Sequence, residues 1–154
     1  MKKTICVVTG TRAEYGLLRP LIEKLYNDSE VDLKLLVTGA HLSPLFGETY
    51  KEIADDGFTI SAKIEMALDS DSNDDMARAT GFAIVSFTDY FVSNMPDILV
   101  VLGDRYEMLA SVIAASMLRI PIAHIGGGDT SEGAIDEFIR HSISKMSYLH
   151  FTTN

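Results

Sequence analysis

Short apolar runs alternate along this chain with longer segments of helical period, and that alternation limits the fold more than any other feature. The strand-length runs are residues 4–9, 32–38, 58–63, 97–102, 121–125 and 148–152. Runs of four to eight residues bounded by glycine and polar clusters read as buried strands, and helices between them read as crossovers of a parallel sheet. Leu17, Leu18, Leu21, Ile22 and Leu25 repeat at helical spacing, and Pro20 is expected in the first turn, where a missing N–H costs nothing. A second helix is expected over residues 74–94, with Ile84, Val85, Phe87, Thr88 and Phe91 on its apolar face and Asp74 and Asp75 at its positive end. The segment after Gly103, with Met108, Leu109, Val112, Ile113, Ala115 and Met117, is apolar nearly all round and is expected to be buried. In residues 134–146, Ile135, Phe138, Ile139, Ile143 and Met146 are expected on one side, and Asp136, Glu137, Arg140 and His141 on the other. Residues 67–75 read as an acidic, solvated loop.

One domain is the expectation for 154 residues that are 47% hydrophobic. A formal charge of -9 argues against a nucleic-acid partner, which needs a broad basic face, but leaves room for a small anion held by local cations and amides. No segment approaches the roughly 20 apolar residues of a membrane span. The basic start at Met1, Lys2 and Lys3 leads into a strand rather than a leader peptide. A single cysteine, Cys6, sits within the first strand, so neither a disulfide framework nor a cysteine metal site is available, and cytoplasm is the expected compartment. The chain ends at the carboxyl end of a strand, and a longer polypeptide is expected.

In an open parallel sheet, ligands bind outside the carboxyl ends of the strands. The polar, glycine-containing clusters follow the expected strands at that end: Gly10-Thr11-Arg12-Ala13-Glu14-Tyr15-Gly16, Gly39-Ala40-His41-Leu42-Ser43, Gly103-Asp104-Arg105-Tyr106-Glu107, and residues 124–133 from His124 through Gly126, Gly127, Gly128, Asp129 and Glu132. The first lacks the G-x-G-x-x-G spacing of a dinucleotide site, and no G-x-x-x-x-G-K-[ST] occurs. A glycine turn leading into a helix still suits a phosphate, with Arg12 as a bidentate partner; a turn in which Arg12 pairs with Glu14 or another local carboxylate is the alternative. Three consecutive glycines let a ligand approach the main chain closely. Asp136 and Arg140, one helical turn apart, read either as site residues or as a surface ion pair. His124 reads either as a donor to a ligand oxygen or as a satisfied, half-buried side chain. His41, His124, His141 and His150 lack metal-ligand spacing, and no nucleophile motif is present, so no cofactor or metal is expected. Several carboxylates beside a phosphate-sized site suit acid/base chemistry on a sugar with a nucleotide leaving group.

At these residues the chain resembles the hydrolysing UDP-N-acetylglucosamine 2-epimerases of sialic-acid and legionaminic-acid biosynthesis. The resemblance runs in order through residues 9–16, 38–43, 47–50, 102–105, 124–129 and 133–141, and so covers essentially the whole chain. It implies a Rossmann-like three-layer domain with a parallel sheet, one half of a GT-B-like two-domain fold, with residues 1–154 as the amino-terminal domain and the carboxyl-terminal nucleotide-binding domain outside this chain. It implies loss of UDP from a UDP-sugar by anti elimination to a 2-acetamidoglucal, then hydration to a free sugar inverted at C-2. Asp104 and Asp136 match catalytic carboxylates of the family. Many members carry glutamate two residues after the histidine, where this chain has Gly126, and Asp129 is expected to stand in. Gly10, Arg12, Glu14, His41, Arg105, His124, Gly127, Glu132, Arg140 and His141 are the expected substrate contacts. A homo-oligomer is expected for the full-length protein. A non-hydrolysing epimerase, which returns the glucal to UDP, and a free-standing nucleotide-binding domain are the alternatives.

Overall fold

Thr4-Ile5-Cys6-Val7-Val8-Thr9 is a run of β-branched and apolar side chains with no polar face, so it can be a strand only where both faces are covered. In the computed structural model, which describes residues 1–67, 70, 72–130 and 135–153, it forms β1 (Lys3–Thr9) at the centre of a six-stranded sheet. There follow α1 (Arg12–Asn27), β2 (Val31–Thr38), two 3-10 turns (Gly39–Leu42 and Pro44–Phe46), α2 (Tyr50–Asp55), β3 (Ile60–Ile64), α3 (Asn73–Ser93), β4 (Ile98–Leu102), α4 (Tyr106–Met117), β5 (Ile122–Ile125), α5 (Ile135–Met146) and β6 (Leu149–Phe151). All strand pairings are parallel, in the order β3-β2-β1-β4-β5-β6. The expected strands are all present, with ends displaced by one or two residues.

The chain winds outward from β1 to β3, then returns past β1 and winds the other way. Right-handed crossovers therefore place α1 and α2 on one face and α3, α4 and α5 on the other. Val7, Leu35 and Val37 pack against Leu18 and Ile22 on the first face. Cys6, Val8, Leu99, Val101 and Ile122 pack against Phe87, Phe91, Met108, Val112 and Ile143 on the second. Burial pushes the Cys6 thiol up, which leaves it an inert core group. The reversal lies between β1 and β4, so Gly10 and Gly103 flank the switch point at the carboxyl rim. On the α1 side, no helix among the described residues covers β4 to β6. A groove of about 390 Å³ lies there, lined in part by Ile98, Val100, Ala123, Ile125, Leu149 and Phe151. Among the described residues no helix is long and apolar enough to cross a membrane.

Four expectations about helix faces are corrected. Pro20 lies in the third turn of α1, because Thr11 caps the helix well upstream. Its ring is exposed, on the outer side where helices curve and their carbonyls tilt toward water. On α3 the buried stripe is Ala79, Ala83, Phe87 and Phe91, and Val85 faces outward. The small alanines let α3 lie close to α4, which packs between α3 and α5 and is buried except at its end, where Met117 is exposed. On α5 the buried residues are Ile139, Arg140 and Ile143, while Ile135 and Phe138 face outward. An ion pair draws Arg140 inward against its hydropathy, as described below.

Replacing Phe87 with alanine is expected to lower unfolding free energy by about 3–5 kcal/mol, through lost burial and an unfilled cavity. Met117→Ala should stay within about 0.5 kcal/mol of the parent. Chemical denaturation measures both.

Candidate active site at the carboxyl rim of the sheet

Thr11 and Glu14 form a capping box at the start of α1. The Thr11 hydroxyl accepts from the Glu14 amide at 3.2 Å, and Glu14 Oε2 accepts from the amides of Gly10 (2.8 Å) and Thr11 (3.1 Å). The amides expected to receive a phosphate are thus filled by a side-chain carboxylate. Glu14 is buried, and its Oε1 has no hydrogen-bond partner among the described residues. Burial, aided by the nearby charge of Glu107, pushes its carboxyl up to about 7 against the opposing pull of the Gly10 amide. Arg12 takes the local-carboxylate alternative, donating from Nε to Glu52 at 3.0 Å on the surface.

Glu107, in the first turn of α4, is almost fully buried and holds Arg105 through three hydrogen bonds of 2.9–3.2 Å. A Cβ on Gly39, whose φ is +56°, would sit 2.7 Å from Glu107 Oε1, so the β2 turn needs glycine for this carboxylate to lie beneath it. Arg105 is left part-exposed at the rim, its guanidinium fixed from behind.

The second group forms around Arg140. Asp136, Arg140 and Ile143 lie at i, i+4 and i+7 of α5 and therefore share one stripe. Ile143 anchors that stripe in the core. Arg140, only 8% exposed in its side chain, donates from Nε to Asp104 Oδ2 at 3.0 Å, from a second nitrogen to the same oxygen, and from a third to the Asp129 carbonyl at 2.7 Å. The ion pair of Arg140 is therefore with Asp104, across 36 residues of chain, and not with Asp136. Asp136 stands one turn closer to the helix start, exposed, above this buried pair. The Asp129 carboxylate accepts from the Thr153 hydroxyl, at 3.0 Å to Oδ1, which ties the β5 loop to the segment after β6.

His124 is fully buried, and both ring nitrogens are used within the domain. Nε2 donates to the Gly103 carbonyl at 2.7 Å, so in the neutral ring Nδ1 accepts from the Ser144 hydroxyl at 2.9 Å. Burial holds its basicity below the usual histidine range, against the pull of the Gly103 carbonyl. A Cβ at Gly127 would come within 2.7 Å of both Ser144 Oγ and His124 Nδ1, so the loop can cross this histidine only as glycine. Gly126 has a φ of +76°. Its amide donates to the Phe151 carbonyl at 2.8 Å, and chain neighbours aside the nearest atom to where its Cβ would be is the Gly103 amide nitrogen at 3.9 Å. A glutamate there has room, at the cost of the left-handed backbone, about 1–2 kcal/mol.

The structure thus joins Arg140 to the Asp104 carboxylate and to the Asp129 backbone carbonyl, with the Asp129 carboxylate turned to Thr153, Asp136 on the helical stripe of Arg140 and Arg105 beside Asp104 in the chain. It does not bring His41, His124 or His141 to them as ligand contacts. His41 is buried between the hydroxyls of Thr9 (3.0 Å) and Thr49 (2.8 Å), and burial lowers its pKa to about 4. His141 points away from the stripe and lies 3.5 Å from Glu137 on the surface of α5. Glu132 lies outside the described residues. Glu107, Ser144 and Thr153 were not legible as site residues: two face backbone or side chains distant in sequence, and the third follows the last strand. Among the described residues, no group of three or more acidic, histidine or cysteine side chains could hold a metal ion.

A doubly wound parallel sheet with carboxylates and arginines at the carboxyl ends of its strands defines a Rossmann-like domain. The chain belongs to the UDP-N-acetylglucosamine 2-epimerase family, whose profile matches residues 23–154. It is 46% identical, over 99% of its length, to the GDP/UDP-N,N'-diacetylbacillosamine 2-epimerase (hydrolyzing) of Campylobacter jejuni, and covers 40% of that protein. It is likewise 46% identical over 98% of its length to the UDP-N,N'-diacetylbacillosamine 2-epimerase (hydrolyzing) of Legionella pneumophila, again covering 40%. The crystal structure of UDP-GlcNAc 2-epimerase from Neisseria meningitidis bound to UDP-GlcNAc superposes over 97% of this chain and 40% of that one, with a TM-score of 0.84 and 24% identity. The architecture is one half of the GT-B-like two-domain fold. The chain spans about two fifths of the length of these relatives.

Two outcomes follow for folding. Glu14 holds its proton more tightly folded than unfolded, so its contribution is fully present below pH of about 4.5 and is lost as pH rises through about 7. Wild type should therefore lose stability relative to Glu14→Gln across that window, by a few kcal/mol at most, in denaturation curves taken at stepped pH. Arg140→Met should cost about 3 kcal/mol by leaving Asp104 partly buried without its cation, and adding Asp104→Asn should recover part of the loss.

Proposed function

We propose that this chain is the amino-terminal half of a hydrolysing sugar-nucleotide 2-epimerase. Its substrate is UDP-N-acetylglucosamine or a UDP-2,4-diacetamido-6-deoxy sugar, and its products are UDP and the 2-epimeric free sugar. The observation that carries this reading is the meeting of Asp104, Arg140 and the Asp129 backbone carbonyl at the carboxyl ends of β4 and β5, with Asp136 one turn nearer the start of α5. The relatives' designations as hydrolysing 2-epimerases support it. A carboxyl-terminal domain, closing over the rim and contributing most nucleotide contacts, completes the site. A single buried thiol with no disulfide suits the cytoplasm.

In the elimination a carboxylate takes the C-2 proton, the C–H pair becomes the C-1 to C-2 double bond, and the C-1 to oxygen bond breaks with its electrons leaving on UDP. In the hydration, water gives a proton to a carboxylate as its oxygen bonds to C-1, the double-bond pair goes to C-2, and a carboxylic acid delivers a proton to C-2 on the face opposite to the one first deprotonated. Negative charge near the ring and positive charge near the departing diphosphate assist both steps. Asp104, Asp129 and Asp136 supply the first. Arg105, held by Glu107, and Arg12 supply the second, since Gly10 and Thr11 already give their amides to Glu14. Glu14, His41 and His124 act as positioning residues behind the rim. Arg140 sets Asp104 and the Asp129 backbone, and Gly127 lets the loop lie close.

Turnover of the full-length protein in heavy water tests this reading. Free sugar carrying deuterium at C-2 should accumulate with UDP, and the UDP-linked epimer as sole product would instead establish the non-hydrolysing reaction. Asp104→Asn, Asp129→Asn and Asp136→Asn should each lower kcat by about 10²–10⁴. Undiminished turnover removes that residue from the mechanism.

A further inference from the structure

Two acidic side chains are buried under the glycine turns that follow β1 and β2, and one guanidinium stands beside them. Glu14 and Glu107 are 7% and 1% exposed. A Cβ on Gly10 would stand 3.3 Å from Glu14 Oε2 and 3.6 Å from Glu107 Cβ, so the two side chains flank one point beneath the β1 turn. Both Glu107 oxygens accept from Arg105 at 2.9–3.2 Å, which makes Glu107 the ionised member. Glu14 differs: Oε2 accepts from the Gly10 and Thr11 amides, while Oε1 has no partner among the described residues. A buried carboxylate needs partners for both oxygens, and a neutral acid loses far less by leaving one bare. The other titratable groups around this point supply no second cation. His41, whose amide binds the Gly10 carbonyl, is neutral between Thr9 and Thr49, and Arg12 turns to Glu52. One guanidinium thus serves two carboxyl groups, and the second ionises only against the charge of the first. The rise of the Glu14 carboxyl to about 7 agrees with that geometry.

We propose that Glu14 is a positioning residue that acts by holding a proton, and that the rim takes the diphosphate of a UDP-sugar at full strength only while this carboxyl is neutral. The inference rests on the proposed function for the identity of the ligand. With Glu14 protonated, the part-exposed Arg105 guanidinium meets an incoming anion with only one carboxylate behind it. Ionised Glu14 places a second carboxylate behind the same guanidinium, and the diphosphate is repelled. Proton and diphosphate therefore favour each other's binding, so the anion draws in a proton wherever Glu14 would otherwise be ionised. Because Glu14 holds its proton up to about pH 7, binding is at full strength below that point and declines above it.

Calorimetric titration of the full-length protein with UDP-glucose tests this, because a diphosphate esterified at both ends lacks the second ionisation of a terminal phosphate, near about pH 6. In wild type the dissociation constant should rise by about tenfold from about pH 6 to about pH 8.5. Near about pH 7.5 the binding heat should vary with the ionisation enthalpy of the buffer, which reports proton uptake. Glu14→Gln keeps an oxygen for the Gly10 and Thr11 amides and has no proton to lose, so its profile should be flat and its binding free of proton uptake. Glu107→Gln should move the break to lower pH, since Glu14 then becomes the carboxylate of Arg105; this shift reads the same proton if Glu14→Gln does not fold. Circular dichroism establishes folding of each variant. A flat wild-type profile, a break that survives in Glu14→Gln, or one that Glu107→Gln leaves in place would overturn the proposal while leaving the UDP-sugar reading intact. Failure of wild type and Glu14→Gln alike to bind UDP-glucose at any pH would overturn that reading, and this inference with it.

Discussion

The rim of this domain depends on one buried cation. The Arg140 guanidinium reaches from α5 to the Asp104 carboxylate after β4 and to the Asp129 carbonyl after β5, so one planar group fixes three segments that share no local sequence. Taking such a charge out of water costs several kcal/mol, which one carboxylate oxygen accepting from two N–H groups, together with a carbonyl, offsets only when the geometry is good. That cost gives the arrangement its specificity. A shorter or branched cation could not span the same three points, and an apolar side chain would leave Asp104 without its counter-charge. Asp136, one turn nearer the helix start, inherits its placement from this anchor.

Behind the rim lies a layer of polar side chains that a ligand does not need to touch. His124 links the Gly103 carbonyl to Ser144, and His41 links Thr9 to Thr49. Each is neutral and uses both nitrogens, so each locks two elements together without adding charge. Glu14 and Glu107 serve the same end with carboxyl groups, one filling the β1 turn and the other holding Arg105. Groups held by two or three hydrogen bonds move little, and catalysis of charge separation benefits from dipoles that need no rearrangement. The proposed chemistry thus falls on the exposed ends of a preorganised network.

The outward surfaces follow from the winding of the chain. Reversal at β1 and β4 sends the later described helices to one face, so among the described residues no helix covers the apolar α1 side of β4 to β6, while α3 turns a second apolar row outward at the edge of the other layer. Exposed apolar area of this kind is unfavourable in isolation and becomes favourable once covered.

The six strands, the crossover helices and the rim as the place of the site were legible from hydrophobic period and glycine position, because burial on both faces of a parallel sheet forces continuous apolar runs and leaves polar residues only where the strands end. Asp104, Asp129 and Arg140 fall at that rim by their position after β4, after β5 and on α5, while Asp104 and Asp136 were singled out as carboxylates by the resemblance. What the sequence could not settle was pairing and facing. Asp136 and Arg140 are neighbours at helical spacing, yet Arg140 turns to an aspartate 36 residues away, and Ile135 and Phe138 face water so that it can. Of the three histidines that read as ligand contacts, His41 and His124 lie beneath the surface because hydroxyls and a carbonyl from other elements complete their hydrogen bonds there. Periodicity is a local property of the chain, and it determined the elements; hydrogen-bond partners are chosen among all groups that the fold brings together, and only tertiary structure decides those.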